Sequence, residues 1–241
     1  KLDPPEEALL KHMAWLPAQA LPINLLQKFS PCDLKQIEVL EESGLIFKAR
    51  QGGYSLPKEV VQEITNNSKE VFENVVFVMA DCKLELTVLN KLLSALVDRL
   101  EISSDLETHL LFGILAAQVG HQSTQGPHPK QSQVLLAKVR KRIEKFVMER
   151  DQIVHKKALK PNEFITLILN PNNPKNQKLA YVYLYLNYTI GRCYFYHKDS
   201  AEQKASKALL ECTEKLCKAF EDVTGQKTMV GVLVQRNGLL F

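Results

Sequence analysis

The sequence has no run of the ~18 uncharged apolar residues that a membrane-spanning helix needs. Its best candidate, Leu106 to Val119, is 14 residues long and opens behind an acidic cap, so no membrane partner is expected. Glycine and proline are sparse, ten and eleven in 241 residues, which argues against a strand-rich sandwich with frequent turns. Cysteine is rarer still. Cys32, Cys82, Cys193, Cys212 and Cys217 are odd in number and show neither CxxC nor Cys/His spacing, so no metal site is expected. Free cysteines of that kind fit a reducing compartment, the cytoplasm or the nucleus.

Catalytic patterns are missing as well. There is no HExxH, no GxSxG elbow and no complete phosphate loop. Gly225-Gln226-Lys227-Thr228 keeps the last half of a Walker motif, but Phe220 stands where the first glycine belongs. The histidines, His12, His109, His121, His128, His155 and His197, have no acid or cysteine partner at metal spacing. No catalytic residue, cofactor or metal ligand is therefore assigned, and the chain is not expected to be an enzyme.

What is present is apolar content and helix formers. At 45% hydrophobic residues the chain can bury a core, and its Leu, Ala, Lys and Glu usage favours helix. Asp3-Pro4-Pro5-Glu6 reads as a capped helix start, with proline at the first helical position and an acid three residues after the cap. Leu9, Leu10, Met13, Ala14 and Leu16 supply the apolar members, and Pro17 stops the helix. A short segment Ile23 to Phe29 and a third helix from about Asp33 to Gly44 follow. The period then changes. Leu45-Ile46-Phe47 and Tyr54-Ser55-Leu56 are β-prone and flank Gly52-Gly53, whose freedom at positive φ suits a hairpin turn.

From Pro57 onward the periodic segments read as helices: 58–64, then 68–80 behind an Asn67 cap, 84–100, and 106–118 behind the capping box Ser104-Asp105-Leu106-Glu107. Gly120 to Pro129 reads as a flexible loop and a boundary. A long helix is expected over 132–158, then helices over 162–169, 175–196 and 200–223 and a last segment from Thr228. The predicted domains are 1–65, 66–120 and 130–241. The start at Lys1 without Met and the run into Leu239-Leu240-Phe241 suggest a fragment of a longer protein.

Residues 6–65 carry Ala8-Leu9-Leu10-Lys11-His12-Met13-Ala14-Trp15-Leu16-Pro17, Leu40-Glu41-Glu42-Ser43-Gly44-Leu45-Ile46 and Gly53-Tyr54-Ser55-Leu56-Pro57. They resemble the winged-helix domain that follows the nucleotide-binding core in signal-transducing ATPases of the STAND (NB-ARC) type. In that family a Leu-His pair senses nucleotide after the wing; here Pro57 follows Leu56, so the resemblance implies a structural relay. Residues 180–217, with Tyr188, Gly191, Tyr194, Ala205, Leu209 and Cys212, resemble a tetratricopeptide (TPR) helix pair. The implied fold is mainly α, a winged-helix domain of three helices plus a β-hairpin followed by an irregular helical-pair, TPR-like array. The order agrees with STAND proteins, in which helical repeats follow the winged helix. Without the ATPase core that precedes such a domain, the chain alone is not expected to hydrolyse ATP.

Charge separates the partner classes. A DNA-reading winged helix needs a basic third helix, whereas residues 33–43 contain Lys35 against Asp33, Glu38, Glu41 and Glu42. Between Lys130 and Lys160, ten Lys or Arg face three acids, making 138–157 the basic helix of the chain. Lys138, Arg140, Lys141, Arg142, Lys145 and Arg150 are its candidate polyanion-binding residues, for RNA or DNA. Tyrosine is dense along 181–196, and Tyr181, Tyr185 and Tyr188 share one helical face while Tyr183 lies around the helix. With Arg192 they form the candidate partner-binding set. A non-catalytic protein or peptide interaction or scaffold module of a larger signalling or regulatory protein is the preferred expectation, and a nucleic-acid binder is the alternative.

Overall fold

The computed structural model describes residues 2–16, 20–30, 34–50, 52–64, 68–123, 129–150, 161–169, 174–195 and 200–238. The protein is mainly helical, and its described residues form a single two-stranded antiparallel sheet. No described helix is long and apolar enough to cross a membrane. The chain forms two compact units, Lys1–Ser103 and Ser104–Phe241. That division falls within the expected 66–120 segment, whereas the expected boundary at 120–129 lies inside unit 2.

Unit 1 begins with α1 (Pro4–Trp15), whose Asp3 amide donates to Glu6 Oε2 at 2.9 Å, satisfying a backbone group at the helix start. Next come α2 (Ile23–Phe29) and α3 (Leu34–Glu42), then β1 (Phe47–Lys48) and β2 (Tyr54–Ser55), paired Phe47 to Ser55 and Lys48 to Tyr54. Leu21, between α1 and α2, adds an isolated bridge: its amide donates to Tyr54 O at 2.8 Å and its carbonyl accepts from Tyr54 N at 2.9 Å. Gly53 makes this approach possible. Its φ is +80°, and a Cβ there would sit 2.5 Å from the Leu21 carbonyl oxygen. Helices α4 (Lys58–Ile64), α5 (Lys69–Asp81) and α6 (Leu86–Leu96) and a 3-10 segment, Val97–Ile102, complete the unit.

The core of unit 1 gathers where α5 packs on α1 and α2. Leu9, Leu25, Leu26, Phe72, Val75, Val76 and Met79 are fully buried there, each contributing about 2 kcal/mol. Trp15 packs against Phe72 with ring centroids 5.5 Å apart, and the Arg99 guanidinium lies 5.0 Å from the Trp15 ring. Helix α5 starts at Lys69, one residue later than predicted: Ser68 Oγ accepts from Val71 N, while Asn67 lies outside the described residues.

Unit 2 consists of α7 (Leu106–Ser123), α8 (Pro129–Arg150), α9 (Pro161–Ile168), α10 (Pro174–Phe195), α11 (Ser200–Thr224) and α12 (Met229–Gly238). The cap of α7 is Asp105 rather than Ser104. Asp105 Oδ2 accepts from Thr108 N at 2.8 Å and from Thr108 Oγ1 at 2.9 Å. The helix runs on through Ser123, where the sequence suggested a loop from Gly120. Gly120 is a packing residue. A Cβ there would stand 2.6 Å from Leu136 Cδ1 on α8 and 2.9 Å from Thr189 Cγ2 on α10.

These contacts fix helix directions. Gly113 faces Val182 and Gly120 faces Thr189, so α7 and α10 run parallel; Gly120 faces Leu136 and Gly113 faces Ile143, so α8 returns antiparallel to α7. Gly191 repeats on α10 what Gly120 does on α7, meeting Leu210 of α11, and its carbonyl accepts from Ser206 Oγ at 2.8 Å. Thus α10 packs on every other helix of the unit. The inward stripe of α11 is Ser206, Leu210, Thr213, Cys217 and Phe220, while Ala205, one of the residues that carry the TPR resemblance, is exposed.

Candidate functional site

One face of α10 is closed by polar contacts. Tyr183, buried against Phe164 with centroids 4.7 Å apart, donates its hydroxyl to Glu144 Oε1 at 2.7 Å. Burial, then the neighbouring Glu144 charge, pushes the Tyr183 phenol far above its ordinary range. Arg140 donates to Asn187 Oδ1 at 3.1 Å, and Asn187 Nδ2 donates to Tyr183 O at 2.8 Å. Arg150 donates to Asn176 Oδ1 at 2.8 Å and to Leu167 O at 3.4 Å. Two members of the candidate basic set are therefore directed into the fold. Lys138, Lys141 and Lys145 remain on the exposed side of α8, with Lys145 Nζ 3.6 Å from Glu149, and Arg142 is half-buried. The helix is described to Arg150, and the 151–157 part of the predicted basic helix lies outside the described residues.

Toward α7 the opposite arrangement holds. Between α7 and α10 lies an open cleft of about 530 Å³, floored by Leu110, Ile114, Ala117, Tyr181, Val182 and Tyr185, with Gln118, His121, Gln122 and Lys178 as its polar members. Of the four residues picked out along α10, the structure brings Tyr181 and Tyr185 into this cleft and leaves Tyr181 38% exposed. Tyr188 sits in the core with 1% exposure. It props the cleft from beneath, its ring 6.2 Å from that of Tyr185, and the Arg192 guanidinium lies 6.0 Å from the Tyr188 centroid. The His121 ring stands 6.2 Å from Tyr185. Burial raises the Tyr185 phenol above its usual range, so it presents a neutral hydroxyl at neutral pH.

Sequence reasoning missed the α7 wall: Leu110, Ile114, Ala117, Gln118 and His121. Its signal was present. The displacement along the chain that carries Gly120 to Gly191 also carries Leu110 to Tyr181 and Ile114 to Tyr185, so the cleft walls occupy corresponding positions of two glycine-notched helices.

Other motifs resolve into structure. His12 Nδ1–H donates to Ala8 O at 2.6 Å, its Nε2 stands 2.8 Å from Asn74 Nδ2, and its ring stacks on Phe29. The Gly225–Thr228 stretch is a helix-to-helix turn, in which Thr228 Oγ1 accepts from Gly231 N at 3.0 Å to cap α12. Among the described residues no group of three or more His, Cys, Asp or Glu is placed to hold a metal. Cys82, Cys193, Cys212 and Cys217 are free, and burial raises each thiol, Cys193 and Cys217 to about 11, so they pack as small hydrophobes rather than thiolates.

No family model, no curated protein and no solved structure matches the chain.

Proposed function

We propose that the protein is a non-catalytic interaction module and that the α7–α10 cleft receives a segment of a partner protein. The observation that carries this reading is the cleft itself, an apolar floor with two tyrosines left accessible, whereas the described ring pairs His109–Phe146 and Phe164–Tyr183 of the same unit are buried. Tyrosine supplies wide apolar area and a hydroxyl at small entropic cost, which suits a protein surface that must bind and also stay hydrated. The titratable groups among the described lining residues are His121, Lys178 and the two tyrosines, set in a floor that is otherwise apolar. Binding is what such a surface offers.

The finer fold reading goes with this proposal. A winged helix is supported in unit 1 by the order helix, Leu21 bridge, two helices, hairpin, with Leu21 bonded to the second hairpin strand. The outward side of α3 carries exposed Glu38 and Glu42 beside exposed Leu34 and Val39, which favours a protein contact or relay over phosphate binding. A TPR-like array is supported in unit 2 by two antiparallel helix pairs whose first members run parallel and whose close approaches are made at Gly120 and Gly191. Membership of a larger STAND-like signalling or scaffold protein, in the cytoplasm or nucleus, is the context we propose.

The test is site-specific photo-crosslinking in cells. A benzophenone-bearing residue in place of Tyr181 should yield a discrete protein adduct that Ile114→Arg removes, while the same residue in place of exposed Lys207 yields none. Adducts of equal yield at both positions, or none at 181, would overturn the cleft as the binding site.

A further inference from the structure

We infer that the occupant of the α7–α10 cleft is an amphipathic α-helix of a partner protein whose apolar stripe is bordered by Asp and Glu. The assignment rests on the reading of the cleft as a docking site and goes on to name what docks.

Spacing argues for a helix. The floor is a ladder of side chains on two parallel helices, Leu110, Ile114 and Ala117 on one and Tyr181 and Tyr185 on the other, so its gaps recur once per turn, about every 5.4 Å. A third helix laid along the furrow presents residues i, i+3 or i+4 and i+7 at that same pitch. Same-face side chains of an extended strand recur at about 6.8 Å and fall out of step after two rungs. The furrow admits the knobs of such a helix and leaves its polar side in water.

Charge names the flanks. None of the described lining side chains is a carboxylate; the ionisable members are Lys178 and His121, and Arg192 lies beyond the tyrosines at the far end. A partner with Lys or Arg beside its apolar stripe meets like charge at Lys178, whereas Asp or Glu there gains a partner and a faster encounter. A nucleic acid finds the positive charge but leaves the apolar floor uncovered, so the two features together specify an acidic amphipathic helix.

The experiment selects peptides on the full 241-residue chain from a displayed library. Its members are 16-residue helices with a fixed Leu stripe and flanks randomised among Asp, Glu, Lys, Arg and Gln. Winners are measured by fluorescence anisotropy against the wild type, Lys178→Glu, Ile114→Arg and Tyr181→Arg, each checked for folding by circular dichroism. The expected winners are acidic, bind at least tenfold more weakly to Ile114→Arg and Tyr181→Arg, and lose on the order of fivefold to Lys178→Glu while Lys-flanked sisters gain. Basic or neutral winners, or indifference to Lys178→Glu, overturn the acidic assignment; if they still depend on Ile114 and Tyr181, the cleft remains the docking site. Winners insensitive to both cleft substitutions, or no winners at all, sink both readings.

Discussion

In residues 1–103 two ring pairs are turned inward, Trp15 on Phe72 and His12 on Phe29, and a cleft beside the hairpin mixes Asn24, Lys83, Glu85, Thr87 and Lys91 with Pro22, Leu84 and Val88. In residues 104–241 polar groups are drawn inside, along Arg140–Asn187 and Tyr183–Glu144, and the α7–α10 cleft is apolar, whereas a second cleft along α11 is lined by Glu211, Glu214, Lys215 and Lys218. The first arrangement buries these ring pairs while leaving Leu34, Val39, Phe47, Phe77 and Ile102 exposed. The second holds itself together partly by buried hydrogen bonds and close glycine contacts, and leaves apolar area facing outward. Exposed apolar side chains occur in both units, and what distinguishes the α7–α10 furrow is an apolar floor that continues along two helices, the feature on which the proposed docking role rests.

The largest effect that sharpens this contrast is expected from Tyr188→Ala. Tyr188 supports the cleft from within the core, and emptying its place should destabilise unit 2 by about 4 kcal/mol. Far-UV circular dichroism in a denaturant titration measures the loss, while fluorescence of Trp15, the single tryptophan, follows unit 1. A Trp15 transition that shifts equally would break the comparison, because the units would then unfold together. Next comes Gly53→Val, which places a Cβ against the Leu21 carbonyl at a positive φ; unit 1 should lose about 3 kcal/mol, read by Trp15. An unchanged midpoint would remove the Leu21 bridge from the account of the hairpin.

The smallest effect is one of pH. Burial lowers the His12 pKa below 6.5, and its Nδ1–H donor and Nε2 acceptor roles suit the neutral ring. A histidine depressed in the folded state binds fewer protons than in the unfolded chain. Its contribution is therefore complete above about 6.5 and diminishes as pH falls below that value toward the folded pKa. Trp15-monitored stability should decline between pH 7 and 5, and His12→Gln should flatten that decline; identical pH profiles for the two proteins would remove His12 as its source.

Elements were more legible in the sequence than contacts. Helix existence followed from apolar period and capping chemistry, but the capping residues of α5 and α7 each fell one position later than expected, because Asn67-Ser68 and Ser104-Asp105 both offer two side chains able to cap. Gly120 read as a chain break because glycine disfavours helix; its value, admitting Leu136 and Thr189, depends on neighbours distant in sequence. Tyr181 and Tyr185 were found by helical face, and the same rule also admitted Tyr188, which the fold buries. The α7 wall stayed hidden since a search at the 34-residue TPR period cannot register a longer displacement.

Because α7, α8, α9, α11 and α12 all lean on α10, that helix is to unit 2 what an axle is to a wheel. Its amides should be the last to exchange with deuterated solvent, and any guest touching Tyr181 or Tyr185 presses on the axle directly.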